Sequence, residues 1–210
     1  MSERMSEGLE KVYAARTAAG LADAYSSWST DYDRETLSLG YCLPFLIAAW
    51  VARHVPRGDG PLLDAGCGTG LSGPYLRALG YPDIEGLDFS ADMLALAAQR
   101  GAYSALTQAA LGDPLPYADG RFAAFFSTGV FTEGHAPASG LDELVRATRP
   151  GGHAVFTVRD VVLERGGFRS RFVELESAGS WRPVEESPPF RAFAIAEPDV
   201  FVQAFVFEVL

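Results

Sequence analysis

The sequence is poor in cysteine and has no long apolar run. It contains two cysteines among 210 residues, and Cys67 lies in a glycine loop that a disulfide would distort. Both thiols are therefore expected to be free. The longest apolar run, residues 41–52, holds about 12 residues, fewer than the roughly 20 that a membrane-spanning helix needs. This run predicts a buried helix, and no membrane partner is expected.

Basic residues are scarce relative to acidic ones. The chain has 17 Lys and Arg against 27 Asp and Glu, for a formal net charge of -10. This charge repels phosphate backbones, and no basic stretch offsets it locally, so no nucleic acid partner is expected. The segment MSERMSEGLE lacks the apolar core of a secretory signal, so the expected location is cytoplasmic. No metal site is predicted.

The order of the predicted elements indicates an α/β fold. Residues 1–56 have helical spacing, and from Pro61 onward short apolar runs alternate with amphipathic stretches. This alternation is typical of βαβ units around a parallel sheet. The chain is predicted to form a single domain of residues 1–210, with a helical cap segment at 1–56 and the core at 57–210.

One helix can be predicted in detail, in the segment SGLDELVRATR. Ser139 and Asp142 have the spacing of a capping box at its start. The PGG at residues 150–152 is predicted to stop this helix.

The segment LLDAGCGTGLSG, residues 62–73, predicts a nucleoside-binding loop. A strand runs into Gly66, Gly68 and Gly70 before a helix. These glycines let a ligand contact the backbone, and the start of the helix beyond them favours an anionic group. Asp88 ends the next strand, where its carboxylate can accept hydrogen bonds from both hydroxyls of a ribose. The loop and the acid together predict one nucleoside site.

Two cofactors fit this site on the residues alone. The glycines at 68, 70 and 73 satisfy GxGxxG with an acid 20 residues after the first, which is also typical of a nicotinamide dehydrogenase. Asp64 favours S-adenosylmethionine (SAM), because its carboxylate can help to bind an ammonium group directly or through water. A dinucleotide pyrophosphate would gain nothing from a carboxylate there. The dehydrogenase is the alternative.

The order of the motifs resembles that of the class I SAM-dependent methyltransferases. LLDAGCGTG is similar to their first motif, GLDFSADML to their second, LPYADGRFAAFFSTGVF to the stretch into their fourth strand and RPGGHAVFTVRD to their fifth strand. YSSWSTDYDRETLSLGYCLP and STGVFTEGHAP resemble the small-molecule group that includes the Williams-Beuren-region methyltransferase-like proteins. The resemblance implies a Rossmann-like, seven-stranded, mostly parallel sheet with its last strand antiparallel, helices on both faces and SAM at the carboxyl ends of the strands.

The resemblance also implies which residues bind SAM. The three loop glycines would contact the methionine moiety, Asp88 the ribose, and Phe89 with Met93 the face of the adenine. Leu111 would donate its backbone N–H to the adenine ring, whereas Ala110 stands where relatives commonly have an acid for the adenine amine. The full predicted set is Tyr32, Tyr41, Asp64, Gly66, Gly68, Gly70, Asp88, Phe89, Ser90, Met93, Ala110, Leu111, Thr128 and Gly129.

An aromatic cluster lies in the N-terminal segment that relatives fold over the cofactor. It comprises Tyr25, Trp28, Tyr32 and Tyr41. Ring faces near a sulfonium contribute cation–π attraction and exclude water. Tyr32 and Tyr41 stand in STDYD and LGY, which match the family segment that reaches the site. For Tyr25 and Trp28, ordinary helix packing is an equal alternative.

His135 and Glu133, in FTEGHAP after the predicted fourth strand, are candidate catalytic bases. In this fold that strand ends beside the SAM methyl group. A histidine with a pKa near its ordinary value of about 6.5 suits removal of a proton from an alcohol or carbon acceptor. A phenol, acid or neutral amine needs only alignment with the methyl group. The alternative for His135 is a loop histidine that bonds only to backbone.

The sequence therefore predicts an enzyme that transfers a methyl group from SAM to an O, N or C atom of a small organic molecule, leaving S-adenosylhomocysteine. The expected partner is that acceptor, and the expected assembly is a monomer or a homodimer. Two alternatives stay open. One is a SAM-binding protein without methyl transfer, acting as a cyclase or a binding module, and the other is an NAD-dependent dehydrogenase.

Overall fold

The computed structural model describes Lys11, Ala14 and residues 18–210, apart from the side chains of residues 18, 19, 21–23, 25, 26, 29 and 30. Most of the first 17 residues of the predicted helical cap segment, and the side chain of Tyr25, lie outside this description. The helices are α1 Ala18–Ser38, α2 Leu43–His54, α3 Gly73–Ala78, α4 Ala91–Gln99, α5 Gly140–Ala147, α6 Asp160–Leu163 and α7 Phe168–Ser177. The strands are β1 Leu62–Ala65, β2 Ile84–Asp88, β3 Ala105–Gln108, β4 Phe122–Phe131, β5 Thr148–Arg159, β6 Trp181–Glu186, β7 Phe190–Arg191 and β8 Phe201–Val209.

The strands of the described residues form one sheet in the order β3-β2-β1-β4-β5-β8-β6, with β7 paired to β8 as its eighth strand. Strands β1 to β5 are parallel, and β8 runs antiparallel to β5, β6 and β7. The predicted α/β fold with a mostly parallel sheet and an antiparallel last strand is confirmed. The sheet has eight strands instead of seven because β7 adds two residues beside β8, too few to give an alternating pattern in the sequence.

The sheet has a hydrophobic core on each face. Successive strand residues point to opposite faces, so Phe125 and Phe126 of β4 belong to different clusters. Phe125 lies with Phe156 among the aromatic rings beneath α5 and α7. Phe126 lies with Ile47 and Val51 of α2. Of the N-terminal helices, α2 packs on β4 and β5, whereas α1 packs on α4.

The helix predicted in SGLDELVRATR forms as α5, but the start and stop signals predicted for it were wrong. Ser139 has helical backbone angles and makes no capping hydrogen bond through its side chain. The Asp142 carboxylate instead accepts a hydrogen bond of 2.6 Å from Arg171 Nε. The helix ends at Ala147, before the PGG, which lies inside β5 at an irregularity in its pairing with β4. The helix therefore ends because the next residue, Thr148, begins β5 and pairs with β4.

None of the helices in residues 18–210 is both long enough and apolar enough to cross a membrane.

Candidate functional site

A cavity of about 220 Å³ opens at the carboxyl ends of β1, β2 and β4, the edge at which ligands bind in open α/β sheets. Thirteen of the residues predicted from the sequence line it: Tyr32, Tyr41, Asp64, Gly66, Gly68, Asp88, Phe89, Met93, Ala110, Leu111, Thr128, Gly129 and His135. Gly70, Ser90 and Glu133 do not line it.

The glycine loop follows β1 and is held by backbone hydrogen bonds. The N–H groups of Gly66 and Cys67 both donate to Leu87 O, at 2.7 and 2.9 Å. A Cβ on Gly66 would lie 2.3 Å from Val130 Cγ2, so the protein's own packing requires glycine there. At Gly68, where φ is +53°, no described atom lies within 4 Å of the Cβ position. The space above Gly68 is therefore open to a ligand.

Asp88, at the end of β2, fixes this loop from the side. Its Oδ2 accepts a hydrogen bond of 2.8 Å from Gly68 N, and its Oδ1 accepts one of 2.9 Å from Ser90 N. Burial raises the pKa of this carboxyl, and the backbone N–H bonds oppose the rise. Each carboxylate oxygen can accept more than one hydrogen bond, so Asp88 can hold the loop and bind ligand hydroxyls together.

Asp64 is a second buried carboxyl in the wall of the cavity, only 2% exposed. Its pKa is raised to about 7, chiefly by burial and also by the charge of Asp88, although a hydrogen bond from Tyr103 opposes the rise. The Tyr103 phenol donates to Asp64 Oδ2 at 2.7 Å. A cationic group in the cavity would favour the charged form of Asp64. The arrangement is suited to an ammonium ligand.

Gly70 and Ser90 have supporting positions beside the cavity. A Cβ on Gly70 would lie 2.8 Å from a ring carbon of Tyr103, so Gly70 allows that ring to pack against the loop. Ser90 caps α4, because its Oγ accepts a hydrogen bond of 3.3 Å from Met93 N. Their predicted contacts with a cofactor stay predictions.

The sequence analysis missed a polar clasp between α1 and the glycine loop. Thr69 Oγ1 donates to Asp33 Oδ1 at 2.6 Å. Arg100 donates through Nε to Thr69 O at 2.5 Å and pairs with Asp33 through a terminal nitrogen. Asp33 lies 36 and 67 residues from these partners, so no local pattern signals the contact.

Of the aromatic residues in α1 and in the loop after it, Tyr32 and Tyr41 line the cavity and Trp28 packs behind them. Tyr41 packs on the backbone of Gly129, where a Cβ would lie 2.3 Å from the phenol oxygen. Tyr32 and Trp28 contact edge to face, with centroids 4.7 Å apart. Trp28 Nε1 also donates to Glu35 at 2.7 Å. Trp28 therefore supports Tyr32 and does not line the first cavity.

His135 is placed at the cavity and Glu133 is not. The Nδ1 atom of His135 lies 2.8 Å from Glu133 O, which favours the tautomer with a proton on Nδ1 and leaves Nε2 as the acceptor nitrogen. Burial lowers the pKa of His135, which favours the neutral form of the ring. The Glu133 carboxylate is 57% exposed and pairs with Arg159. A neutral histidine at this position can accept a proton.

A second, smaller cavity of about 70 Å³ lies next to the first. Tyr32, Tyr41, Gly129 and His135 line both. The site therefore has two adjoining compartments with these four residues at their boundary.

Comparisons with known proteins agree on one family. The family described as "Methyltransferase domain" matches residues 63–156. Methyltransferase-like protein 27 of Homo sapiens is 32% identical over 197 residues, which cover 86% of this chain and 79% of that protein. The malonyl-[acyl-carrier protein] O-methyltransferase of Erwinia pyrifoliae is 31% identical over 133 residues, 63% of this chain and 46% of the relative. A TehB-like SAM-dependent methyltransferase from Corynebacterium glutamicum has a similar fold, with a TM-score of 0.65 at 22% identity over 90% of this chain and 100% of that one.

Proposed function

Because this chain belongs to the class I SAM-dependent methyltransferase family, we propose that it methylates a small organic molecule held between the two cavities. The family implies SAM as the methyl donor and decides against the dehydrogenase that the glycine pattern left open. What we propose is the class of acceptor and the residues that bind it.

The observation that carries the proposal is the grouping of the open face of Gly68 with two buried carboxyls, Asp64 and Asp88, in one cavity wall. A ligand with one ammonium group and two vicinal hydroxyls satisfies both acids. SAM has these groups on its methionine and ribose parts. Asp64 would hold the ammonium group, Asp88 the ribose hydroxyls, and the loop backbone would lie against the methionine moiety. Phe89 and Met93 would cover the adenine.

When bound, SAM supplies a methyl carbon to which the acceptor's lone pair bonds, while the electron pair of the breaking C–S bond goes to sulfur and leaves S-adenosylhomocysteine. His135 would take the acceptor's proton on Nε2 where the acceptor is an alcohol or another weak acid. Tyr32 and Tyr41 would exclude water from the boundary between the cavities, which protects the transfer from competing solvent.

The second cavity supports a small acceptor. Its volume of about 70 Å³ accommodates part of a small molecule, and the formal net charge of -10 opposes a nucleic acid substrate. Glu133 does not line either cavity, so His135 is the better supported candidate for the base.

The test is calorimetric titration of the protein with SAM, S-adenosylhomocysteine and NADH. We expect SAM to bind and Asp88→Ala to weaken it by about tenfold or more, because a charged hydrogen-bond acceptor is lost. Asp92→Ala is the control, since Asp92 is an exposed acid in the first turn of α4, close to Asp88 in the chain and outside the cavity lining. NADH binding without SAM binding would overturn the proposal. Failure to form S-adenosylhomocysteine with any acceptor, despite SAM binding, would favour the non-methylating alternative.

A further inference from the structure

The second cavity has an apolar, largely aromatic wall. Trp28, Phe131 and Phe193 line it, together with Val200 and Val202. All five residues are buried, and none is more than 8% exposed to solvent. Such a wall favours the planar or apolar body of a ligand and gives no hydrogen bonds that would specify it. Specificity must therefore come from the polar groups of this cavity.

Arg159 is the charged residue of this lining. It stands at the end of β5, and its side chain is 15% exposed. Among the described residues that line the cavity there is no Asp or Glu. A shielded guanidinium interacts strongly with an anion because little water screens the pair, and its planar fork matches a carboxylate. This protein has a net charge of -10, yet an arginine lies in the lining of a cavity with an aromatic wall.

Glu133 already contacts this arginine from the solvent side. Its Oε2 lies 3.2 Å from one terminal nitrogen of Arg159, and its side chain is 57% exposed. An ion pair with such an exposed member contributes little stability. A carboxylate within the cavity can therefore compete with Glu133 for the guanidinium of Arg159.

We propose that the second cavity recognises a carboxylate on the acceptor, with Arg159 as its binding partner and the aromatic wall around its apolar body. The inference rests on the proposed function, because it names the substrate class of the same site. It places the methyl-accepting atom at the boundary between the cavities, beside His135, and the carboxylate on the side of Arg159. The predicted acceptors are small aromatic or apolar carboxylic acids.

The experiment compares acids with neutral amides of the same shape. Benzoate and phenylacetate, and the matching amides benzamide and phenylacetamide, are titrated into the protein and followed by ligand-observed NMR, with and without saturating S-adenosylhomocysteine. We expect the acids to bind about tenfold or more tightly than the amides, and this preference to disappear in Arg159→Gln. Arg165→Gln, at an exposed arginine in the turn after α6, is the matched control and should keep the preference.

Two further variants separate recognition from folding. Arg159→Lys should keep part of the preference for acids, because it retains the charge and loses the planar fork. Glu133→Gln should strengthen acid binding several-fold, because it removes the competing carboxylate. A merely structural arginine would give neither result.

Equal binding of acids and amides, no acid binding at millimolar concentration, or a preference that survives Arg159→Gln would overturn the inference. Failure of S-adenosylhomocysteine to bind would instead count against the proposed function. The titrations without nucleoside report on the second cavity independently of that outcome.

Discussion

The phenol of Tyr103 donates a hydrogen bond of 2.7 Å to Asp64 Oδ2, joining the segment before β3 to the end of β1. The same ring packs against the glycine loop at Gly70 and Gly73. The pKa of Asp64 is raised to about 7, because burial raises it by more than the Tyr103 hydrogen bond lowers it. Tyr103 thus both supports the loop and adjusts the charge of an acid in the cavity wall.

The buried Asp64 is expected to make the ligand-free protein less stable as pH rises. Its pKa is about 7 in the folded protein and about 3.9 when unfolded. Between about pH 4 and 7 the folded protein holds a proton that the unfolded chain has released, so the free energy of unfolding falls with increasing pH. Asp64→Asn should flatten this dependence and stabilise the ligand-free protein at pH 8. Urea unfolding at several pH values measures it, with Asp92→Asn as control, and an unchanged pH dependence would count against the burial argument.

Tyr103→Phe should weaken SAM binding near neutral pH. Loss of the hydrogen bond removes an interaction that lowers the pKa of Asp64, so less of the charged carboxylate is present to meet an ammonium group. Affinity for SAM should rise between about pH 6 and 7.5 in the wild-type protein, and the rise should move to higher pH in the variant. Tyr75→Phe, at an exposed tyrosine on α3, is the control. Coincident pH profiles for Tyr103→Phe and the wild type would show that Asp64 does not bind the ammonium group.

Asp33→Asn should loosen α1 without unfolding the sheet. Asp33 accepts from Thr69 and Arg100, and it is partly exposed, so a modest effect is expected. Hydrogen exchange in α1 should become several-fold faster while exchange in β1 and β4 is unchanged. Asp31→Asn breaks an exposed pair with Arg34 within the same helix and serves as the control. Equal exchange in both variants would mean that the clasp does not hold α1 to the loop.

His135→Gln should lower kcat and leave the affinity for SAM unchanged. For an acceptor that must lose a proton, the loss should be about 100-fold or more. Burial lowers the pKa of His135, so the neutral, proton-accepting form is lost only as pH falls below that lowered pKa. The variant should therefore lack the acid limb of the wild-type pH–rate profile. His153→Gln, in β5 away from both cavities, should retain it, and an unaltered kcat in His135→Gln would remove His135 from the mechanism.

The sheet and the loop could be predicted because their signals are local. LLDA is buried at all four positions of β1, as a continuous apolar run beside a glycine loop suggests. The parallel register pairs Ala65 with Leu87, which brings Asp88 beside the loop. The proximity of Asp64 and Asp88 therefore follows from two strand ends and the rule that parallel strands share one edge.

The features of the site that could not be predicted depend on contacts between side chains that are far apart in the sequence. Tyr103 lies in an ordinary turn segment, and only its position next to Gly70 and Asp64 shows its role. Arg159 ends a strand, and its relation to the second cavity depends on residues from α1 and β8. The prediction that Ser139 caps α5 was wrong for a different reason. The backbone of Ser139 is helical and lacks the extended geometry of a capping residue.

The central claim is that SAM occupies the space above Gly68, and a pair of glycine variants tests it most directly. Gly68 and Gly101 have φ values of +53° and +61°, and at both positions no described atom lies within 4 Å of an added Cβ. Gly68→Ala and Gly101→Ala should therefore lose similar amounts of stability through backbone strain. Calorimetric titration should show the dissociation constant for SAM raised by about tenfold or more in Gly68→Ala and unchanged in Gly101→Ala. Equal SAM affinity in Gly68→Ala and Gly101→Ala would contradict the claim.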